Sequence, residues 1–446
     1  MTRPAEASIM EGLSRFCARV GLGQPEEPTR LTGGAMMESW HFIAGDQELV
    51  LRRAPSVEFM RDRPYDHASE AALNAAAGRH GVTAPTIAGV LAPEDGLGSG
   101  FVMEALKGTA DPKTILQTDD PERLLSECAS QLARIHSLDR SKVPADVPVM
   151  DYREAISKLR AQFEETGGDR PIIALGLAWL EKHCPDPIEP VLNHGDFRLG
   201  NLLVRDGWLT GVLDWELAHF GDYHEDLAFG CLPVWRFSRH DRPALGLGKL
   251  EYYFDAYESN GGRPVDPTRF RFWTVYRMVW WALGCLGMAQ NWRSGEDRML
   301  ERVVISRRTS EQELDLLMLL DEDVPTGGLD GSTRGRAEAT PVRGEATTGE
   351  LAAAVREWVN TIKPLMEGHD RFQHAVARNA LSIIERSDNL PAMTDRELAQ
   401  DLLSGSREID APLMERLRHD AMEKLAADMP KYPSLAVARK RWTGKD

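Results

Sequence analysis

The chain has 446 residues, of which 42% are hydrophobic and 27% charged, so wholesale disorder is excluded and, at ~150 residues per domain, two or three domains are expected. Against 53 Lys and Arg stand 69 Asp and Glu, a net charge of −16 at pH 7. That balance argues against a nucleic-acid partner and against docking on an anionic membrane. The five cysteines (Cys17, Cys128, Cys184, Cys231, Cys285) are far apart and form no CxxC pair, so no disulfide framework or zinc site is expected and a cytoplasmic setting is.

In chain order, Arg3, Glu6 and Glu11 precede any apolar run, which is not a signal-peptide pattern. Ile9, Leu13, Phe16, Cys17 and Val20 recur at helical spacing and predict an amphipathic helix. Gly33 and Gly34 form a glycine pair at a strand turn, and residues 41–44 and 48–52 flank Gly45-Asp46 as a hairpin. Asp66 is the expected cap of a helix over 68–77, closed by Gly78. Residues 87–91 and 101–104 read as two more strands, completing a small α+β lobe. From Pro121 to Leu320 the pattern is mostly helical. The most apolar window, 273–292, is interrupted by Arg277, Gln290 and Asn291, so it reads as a buried helix and not a membrane span.

Residues 325–349 contain six glycines and no aromatic residue, a composition that cannot bury enough surface to offset its ordering entropy, and so predict a flexible linker. Beyond it lies a helical tail. Leu351, Val355, Trp358, Val359 and Ile362 make one apolar stripe, and Phe372, Val376, Ala380, Ile383 and Ile384 a second. Thr394 with Glu397 is a capping-box pattern opening a third helix, and Met414, Leu417, Ala421 and Leu425 mark a fourth. A small bundle is the simplest packing, with structural or protein-interaction duty.

The segment richest in chemistry runs from Pro190 to Phe220. A short apolar run enters the loop His194-Gly-Asp196-Phe-Arg-Leu-Gly-Asn201. A strand follows over 202–204, then the Asp206-Gly207 turn, then a returning strand to Leu213 and Asp214-Trp215-Glu216. Asn201 and Asp214 lie almost symmetrically about that turn, so both belong at the open end of one hairpin, within one or two cross-strand spacings of ~5 Å. Asp196 is five residues before Asn201. Two carboxylates and an amide oxygen make a hard-oxygen site suited to Mg²⁺, and a carboxylate off the metal can orient a hydroxyl and accept its proton. The spacing His-x-Asp-x₄-Asn is also that of kinase catalytic loops.

HGDFRLGNLLV with GVLDWE resembles the aminoglycoside phosphotransferase and choline-kinase-like family, which has the protein-kinase fold. The resemblance covers roughly residues 25 to 322 and includes the closing stretch 307–317. It extends to a subgroup related to the kinase portion of acyl-CoA dehydrogenase fusion proteins that act on hydroxyacyl-CoA. The resemblance implies ATP and Mg²⁺ as cofactors, Asp196 as the catalytic aspartate, and Asn201 and Asp214 as magnesium ligands. It assigns His194 a loop-orienting role and Asp226 a loop-bracing one. Gly33, Gly34 and Ser39 fall in the phosphate-covering loop. Arg52 stands where kinases have the strand lysine, with Arg53 a rival, and Glu70 would hold Arg52. Met103 and Glu104 match the hinge that reads adenine. Residues 231–242 mix aromatic and basic side chains and would line the acceptor site.

The expected architecture is α+β: a two-lobed protein-kinase-like fold, a flexible linker and a small all-α C-terminal bundle. The boundaries expected are 1–106 for the nucleotide-binding lobe, 107–324 for the helical lobe, 325–349 for the linker and 350–446 for the tail. The expected activity is transfer of the γ-phosphoryl group of ATP to a hydroxyl of a small molecule, with a hydroxyacyl-CoA as one acceptor class. The alternatives are a non-catalytic nucleotide-binding scaffold and an aminoglycoside-modifying kinase. The helical tail is expected to contact another protein or another copy.

Overall fold

A computed structural model of the chain describes residues 6–31, 37–54, 64–295, 299–321, 346, 348–388, 390 and 394–444. Gly33, Gly34 and nearly all of the expected linker lie outside the described residues. Two compact units are formed, Met1–Asp151 with Pro187–Phe270, and Tyr152–Asp186 with Arg271–Asp446. These units do not follow the boundaries expected from composition, because the tail helices share a unit with helices of the front part.

In the first unit, α1 (Glu6–Val20) buries Ile9, Leu13, Phe16 and Cys17, the stripe read from the sequence. Next come β1 (Thr29–Arg30), β2 (Glu38–Ala44), β3 (Gln47–Ala54), α2 (His67–Arg79), β4 (Ile87–Val90) and β5 (Ser99–Glu104). The strands form one antiparallel sheet in the order β1-β2-β3-β5-β4. Trp40, Phe42, Leu49, Leu51 and Val102 form a core with α1. Asp66 caps α2 as expected, its carboxylate accepting from the Ser69 N–H at 2.9 Å. The helix runs past Gly78 to Arg79, ending at His80. Glu70 lies in the first turn of α2 and is buried.

The chain continues through α3 (Pro112–Ile115) and α4 (Pro121–His136), then α5 (Tyr152–Glu165) and α6 (Pro171–His183) of the second unit. Back in the first unit lie β6 (Val191–Asn193), β7 (Leu202–Arg205), β8 (Trp208–Val212), β9 (His219–Gly221), α7 (Tyr223–Phe229) and α8 (Leu250–Ser259). β6 pairs with β9, and β7 with β8. At the β7–β8 reversal both Asp206 and Gly207 have positive φ, 53° and 76°, the left-handed pair that a right-twisted hairpin needs. The ladder is irregular in one place. Leu203 pairs with Gly211 but Val204 with Leu209, so Thr210 is an extra residue on β8. Its hydroxyl donates to Lys107 O at 2.7 Å. The bulge shifts the register by one, so Asn201 O accepts from the Leu213 N–H at 2.8 Å and Asp214 lies one residue beyond that partner, not directly across from Asn201 as expected.

The remaining helices are α9 (Pro267–Ser294), α10 (Leu300–Ser306), α11 (Thr309–Leu320), α12 (Thr348–Ile362), α13 (Gly368–Ser387), α14 (Arg396–Ser404), α15 (Ala411–Asp428) and α16 (Pro433–Thr443). α9 buries Trp273, Val279 and Leu283. No helix among the described residues is long and apolar enough to cross a membrane. Within the second unit, α14 packs on α6, and α15 and α16 pack on α11. The cap of α14 is Asp395 and not Thr394, because the Asp395 carboxylate reaches the Leu398 N–H at 3.0 Å. α16 is a fifth tail helix that the apolar spacing did not reveal. The α12 stripe faces outward: Leu351, Val355 and Trp358 are exposed, and only Gly349 and Ala352 are buried.

Candidate active site

The loop between β6 and β7 is fixed from below by one carboxylate. Asp226, on α7, accepts from the His194 N–H at 2.6 Å and the Gly195 N–H at 2.8 Å. His136 Nε2 lies 3.3 Å from the same carboxylate, and His136 Nδ1 lies 2.7 Å from the Tyr257 hydroxyl. Burial alone would raise the Asp226 pKa, but His136 and the loop amides outweigh it and hold it at about 2. Gly195 has φ +81°, and a Cβ there would meet Leu217 O at 2.3 Å, so no side chain fits at this point of the loop.

His194 is buried and makes two bonds that define its tautomer. Nδ1 accepts from the Asp196 N–H at 3.2 Å, so Nε2 carries the hydrogen and donates to Leu213 O at 3.1 Å. Burial lowers its pKa despite the neighbouring Asp226 and Asp214, which keeps the ring neutral. His194 thus ties the loop to the strand that leads into Asp214, the orienting role expected of it.

Asp196 is 8% exposed. Its carboxylate takes a two-pronged bond from Arg198, Nε to Oδ1 at 2.8 Å and Nη2 to Oδ2 at 3.2 Å, and a third from Asn201 Nδ2 at 2.6 Å. Burial raises the Asp196 pKa to about 6, while Arg198 and Asn201 pull in the opposite direction. Asn201 also donates from Nδ2 to Asp196 O at 3.0 Å, which leaves its carbonyl oxygen as the end able to meet a cation. The Arg198 guanidinium stacks 4.2 Å from the centre of the Trp235 ring. This links the catalytic-type loop to the aromatic and basic segment 231–242. In that segment Phe237 and Ser238 are consecutive residues with positive φ, and the His240 pKa is lowered by burial and by Arg236.

Arg52 gathers the acidic residues. Its Nη2 lies 2.5 Å from Asp214 Oδ1 and 2.8 Å from Glu216 Oε2, and its Nε 3.4 Å from Glu70 Oε1. Burial opposes its charge, yet the three carboxylates raise its pKa. Arg52 in turn holds Asp214 below the ordinary carboxylate value against the effect of burial. The expected Arg52–Glu70 pair is therefore present, and Arg53 is not its rival. Strand alternation turns Arg53 to the other face, where it pairs with Glu38 at 3.1 Å. Ser39 stands directly across the ladder from Arg52. Met103 and Glu104 close β5, opposite Val50 and Leu49. The Glu104 N–H is engaged with Thr86 O at 2.8 Å.

Loop, hairpin and sheet thus bring together Asp196, Asn201, Asp214, Arg52 and Glu70. Arg198 and Glu216 join them without having been singled out by the sequence; both lie within the segments that carry the resemblance, and their charge next to a catalytic-type aspartate was the available signal. Among the described residues no group of three or more His, Cys, Asp and Glu forms a ready metal cage. One carboxylate and one free amide oxygen are a donor set that fits Mg²⁺, which keeps several of its waters.

The model of the phosphotransferase enzyme family matches residues 27–266. A curated relative, acyl-CoA dehydrogenase family member 10 of Mus musculus, is 29% identical over 268 residues, 55% of this chain and 25% of that protein. The chain thus spans about a quarter of that relative's length. The aminoglycoside 3'-phosphotransferase of Escherichia coli is 29% identical over 125 residues, 26% of this chain and 45% of that enzyme. Among solved structures, a Ralstonia eutropha protein described as a candidate aminoglycoside phosphotransferase superposes with a TM-score of 0.56. It is 20% identical, and the match covers 70% of this chain and 98% of that one, which shows a shared kinase-like fold. With the family model spanning the sheet, the loop of Asp196 and the hairpin of Asp214, this chain belongs to the phosphotransferase enzyme family.

Proposed function

We propose that the chain is a small-molecule kinase that moves the γ-phosphoryl group of ATP to an alcohol, with Asp196 as base and Asn201 and Asp214 as magnesium ligands. The observation that carries this reading is the convergence of the Asp196, Asn201, Asp214 and Arg52 side chains in a phosphotransferase chain. Asp196, ionised above about pH 6, accepts the proton of the acceptor hydroxyl. The acceptor oxygen forms its bond to phosphorus as the bond to the β-phosphate oxygen breaks, and ADP leaves with that electron pair. Bound Mg²⁺ would supply neutralisation of phosphate charge. Arg52 is a forked donor able to turn from Asp214 to phosphate oxygens, and Glu70 and Glu216 keep its head at the site. Gly33 and Gly34 are proposed for the phosphate-covering loop, whereas Ser39 lies not in a loop but on β2, across from Arg52. Adenine would be read at Met103 and Glu104, through the Glu104 carbonyl, since its N–H is already engaged.

An anionic acceptor is favoured over a cationic one. Arg198 reaches Asp196 on one side and Trp235 on the other, and Arg236, Arg239 and Arg242 follow in the same segment. A hydroxyacyl-CoA carries the matching charge, and the relative named for acyl-CoA chemistry supports that class. The test is a mass-spectrometric search for a gain of one phosphoryl group on hydroxyacyl-CoAs and on aminoglycosides, with ATP and Mg²⁺. Asp196→Ala is expected to abolish transfer, at least a hundredfold in kcat, with nucleotide affinity by calorimetry nearly unchanged. Equal turnover in that variant would remove Asp196 from its role. Stabilisation by ATP without turnover of any acceptor would instead favour a non-catalytic scaffold.

A further inference from the structure

Asp214 has φ +72°, a left-handed conformation that few residues with a side chain adopt unless their surroundings hold them there. The carbonyls of the residues on either side of it, Leu213 and Trp215, are both occupied. Leu213 O accepts from His194 Nε2 at 3.1 Å, and Trp215 O accepts from the Tyr65 hydroxyl at 2.5 Å. Tyr65 is buried and directly precedes Asp66, the cap of α2. The same helix carries Glu70, which shares Arg52 with Asp214. The backbone on either side of Asp214 is therefore held, before it by the loop of His194 and after it, at Trp215, by the residue that precedes the cap of α2.

We propose that Tyr65 is a positioning residue for Asp214, fixing the carbonyl of the next residue, Trp215, so that the Asp214 carboxylate keeps one aim. The inference rests on the reading of Asp214 as a magnesium ligand. Arg52 now restrains the Asp214 carboxylate through its side chain. A cation arriving at that carboxylate displaces the guanidinium, and with it the side-chain restraint. The backbone restraint from Tyr65 remains. The Tyr65 hydroxyl is the only polar atom of its side chain, so Tyr65→Phe removes the strut and keeps the ring.

Calorimetry with ATP, in Mg²⁺ and separately in EDTA, tests this on the full chain. Tyr65→Phe is expected to weaken ATP binding about five- to tenfold in Mg²⁺ and to leave binding in EDTA unchanged. An equal loss under both conditions would make Tyr65 merely structural, and no loss under either would overturn the proposal. If the unaltered chain binds ATP equally with and without Mg²⁺, the reading of Asp214 as a metal ligand falls, and this inference with it. If the unaltered chain shows metal dependence and Tyr65→Phe keeps it, the inference alone falls. Should the variant not fold, hydrogen exchange on the unaltered chain decides: slow exchange of the 215–218 amides, with and without Mg²⁺ and ADP, is expected, and exchange as fast as an open loop overturns it.

Discussion

Asp196 is buried and yet, on the proposed reading, acts as a base. Desolvation lifts its pKa to about 6, and the Arg198 fork limits the rise. The ionised carboxylate is the working form, so the activity is full well above pH 6 and lost as pH falls through it. The kcat/KM profile is expected to show an acid limb near pH 6. Arg198→Gln removes the attracting charge and is expected to move that limb upward; a limb that stays in place would show that Arg198 does not set the base. Relative to its ordinary value of 3.8, the same shift makes ionisation of Asp196 destabilising to the fold, fully above about pH 6 and not at all below pH 3.8. Asp226 has the opposite sign: held at about 2, it stabilises the fold above the ordinary aspartate range and loses that contribution as pH drops toward 2. Two aspartates thirty residues apart are thus shifted in opposite directions, the one proposed to react raised and the one that holds the loop lowered.

The hairpin and its preceding loop show what local sequence can and cannot specify. The Asp206-Gly207 turn is legible because only residues tolerant of positive φ fit there. The convergence of Asn201 and Asp214 follows from it. The one-residue bulge at Thr210 was not legible, since what accompanies it is a tertiary bond to Lys107 O. The choice between Arg52 and Arg53 was also closed to spacing alone; it depends on which face of β3 meets α2. At Gly195 the argument is steric: φ is +81° and a Cβ would sit 2.3 Å from a backbone oxygen. Gly195→Ala is expected to cost at least ~2 kcal/mol of stability by urea unfolding and to depress transfer beyond that loss, because Asp196 is the next residue. A variant of unchanged urea midpoint would contradict the close approach.

Across the molecule, composition predicts a break after residue 324 but does not tell what the tail packs against. Its apolar stripes predict helices, and helices are found; a stripe does not name its partner. The α12 stripe lies outward, whereas α14, α15 and α16 cover α6 and α11 of the second unit. Asp321, at the end of α11, is buried and receives Arg418 and the Trp442 indole, the latter at 3.0 Å. Asp315 accepts from the Tyr432 hydroxyl at 2.5 Å. Removing the tail takes from those carboxylates the partners named here, and breaking a buried ion pair costs ~3–5 kcal/mol. A chain ending at residue 346 is expected to melt roughly 6–20 °C lower in scanning fluorimetry, at ~2–4 °C per kcal/mol, or to precipitate. An unchanged midpoint would show that the tail is an independent appendage.

The extra residue on β8 turns that strand into a ruler that counts in single steps. Side chains alternate between faces, so deleting Thr210, or inserting one residue beside it, would send Asp214 to the opposite side of the ribbon. The hairpin can therefore change its length only in pairs of residues, or by trading one bulge for another, without disarming the pocket. A two-residue reversal of ordinary appearance thus sits in a hairpin whose length is not free to drift by one.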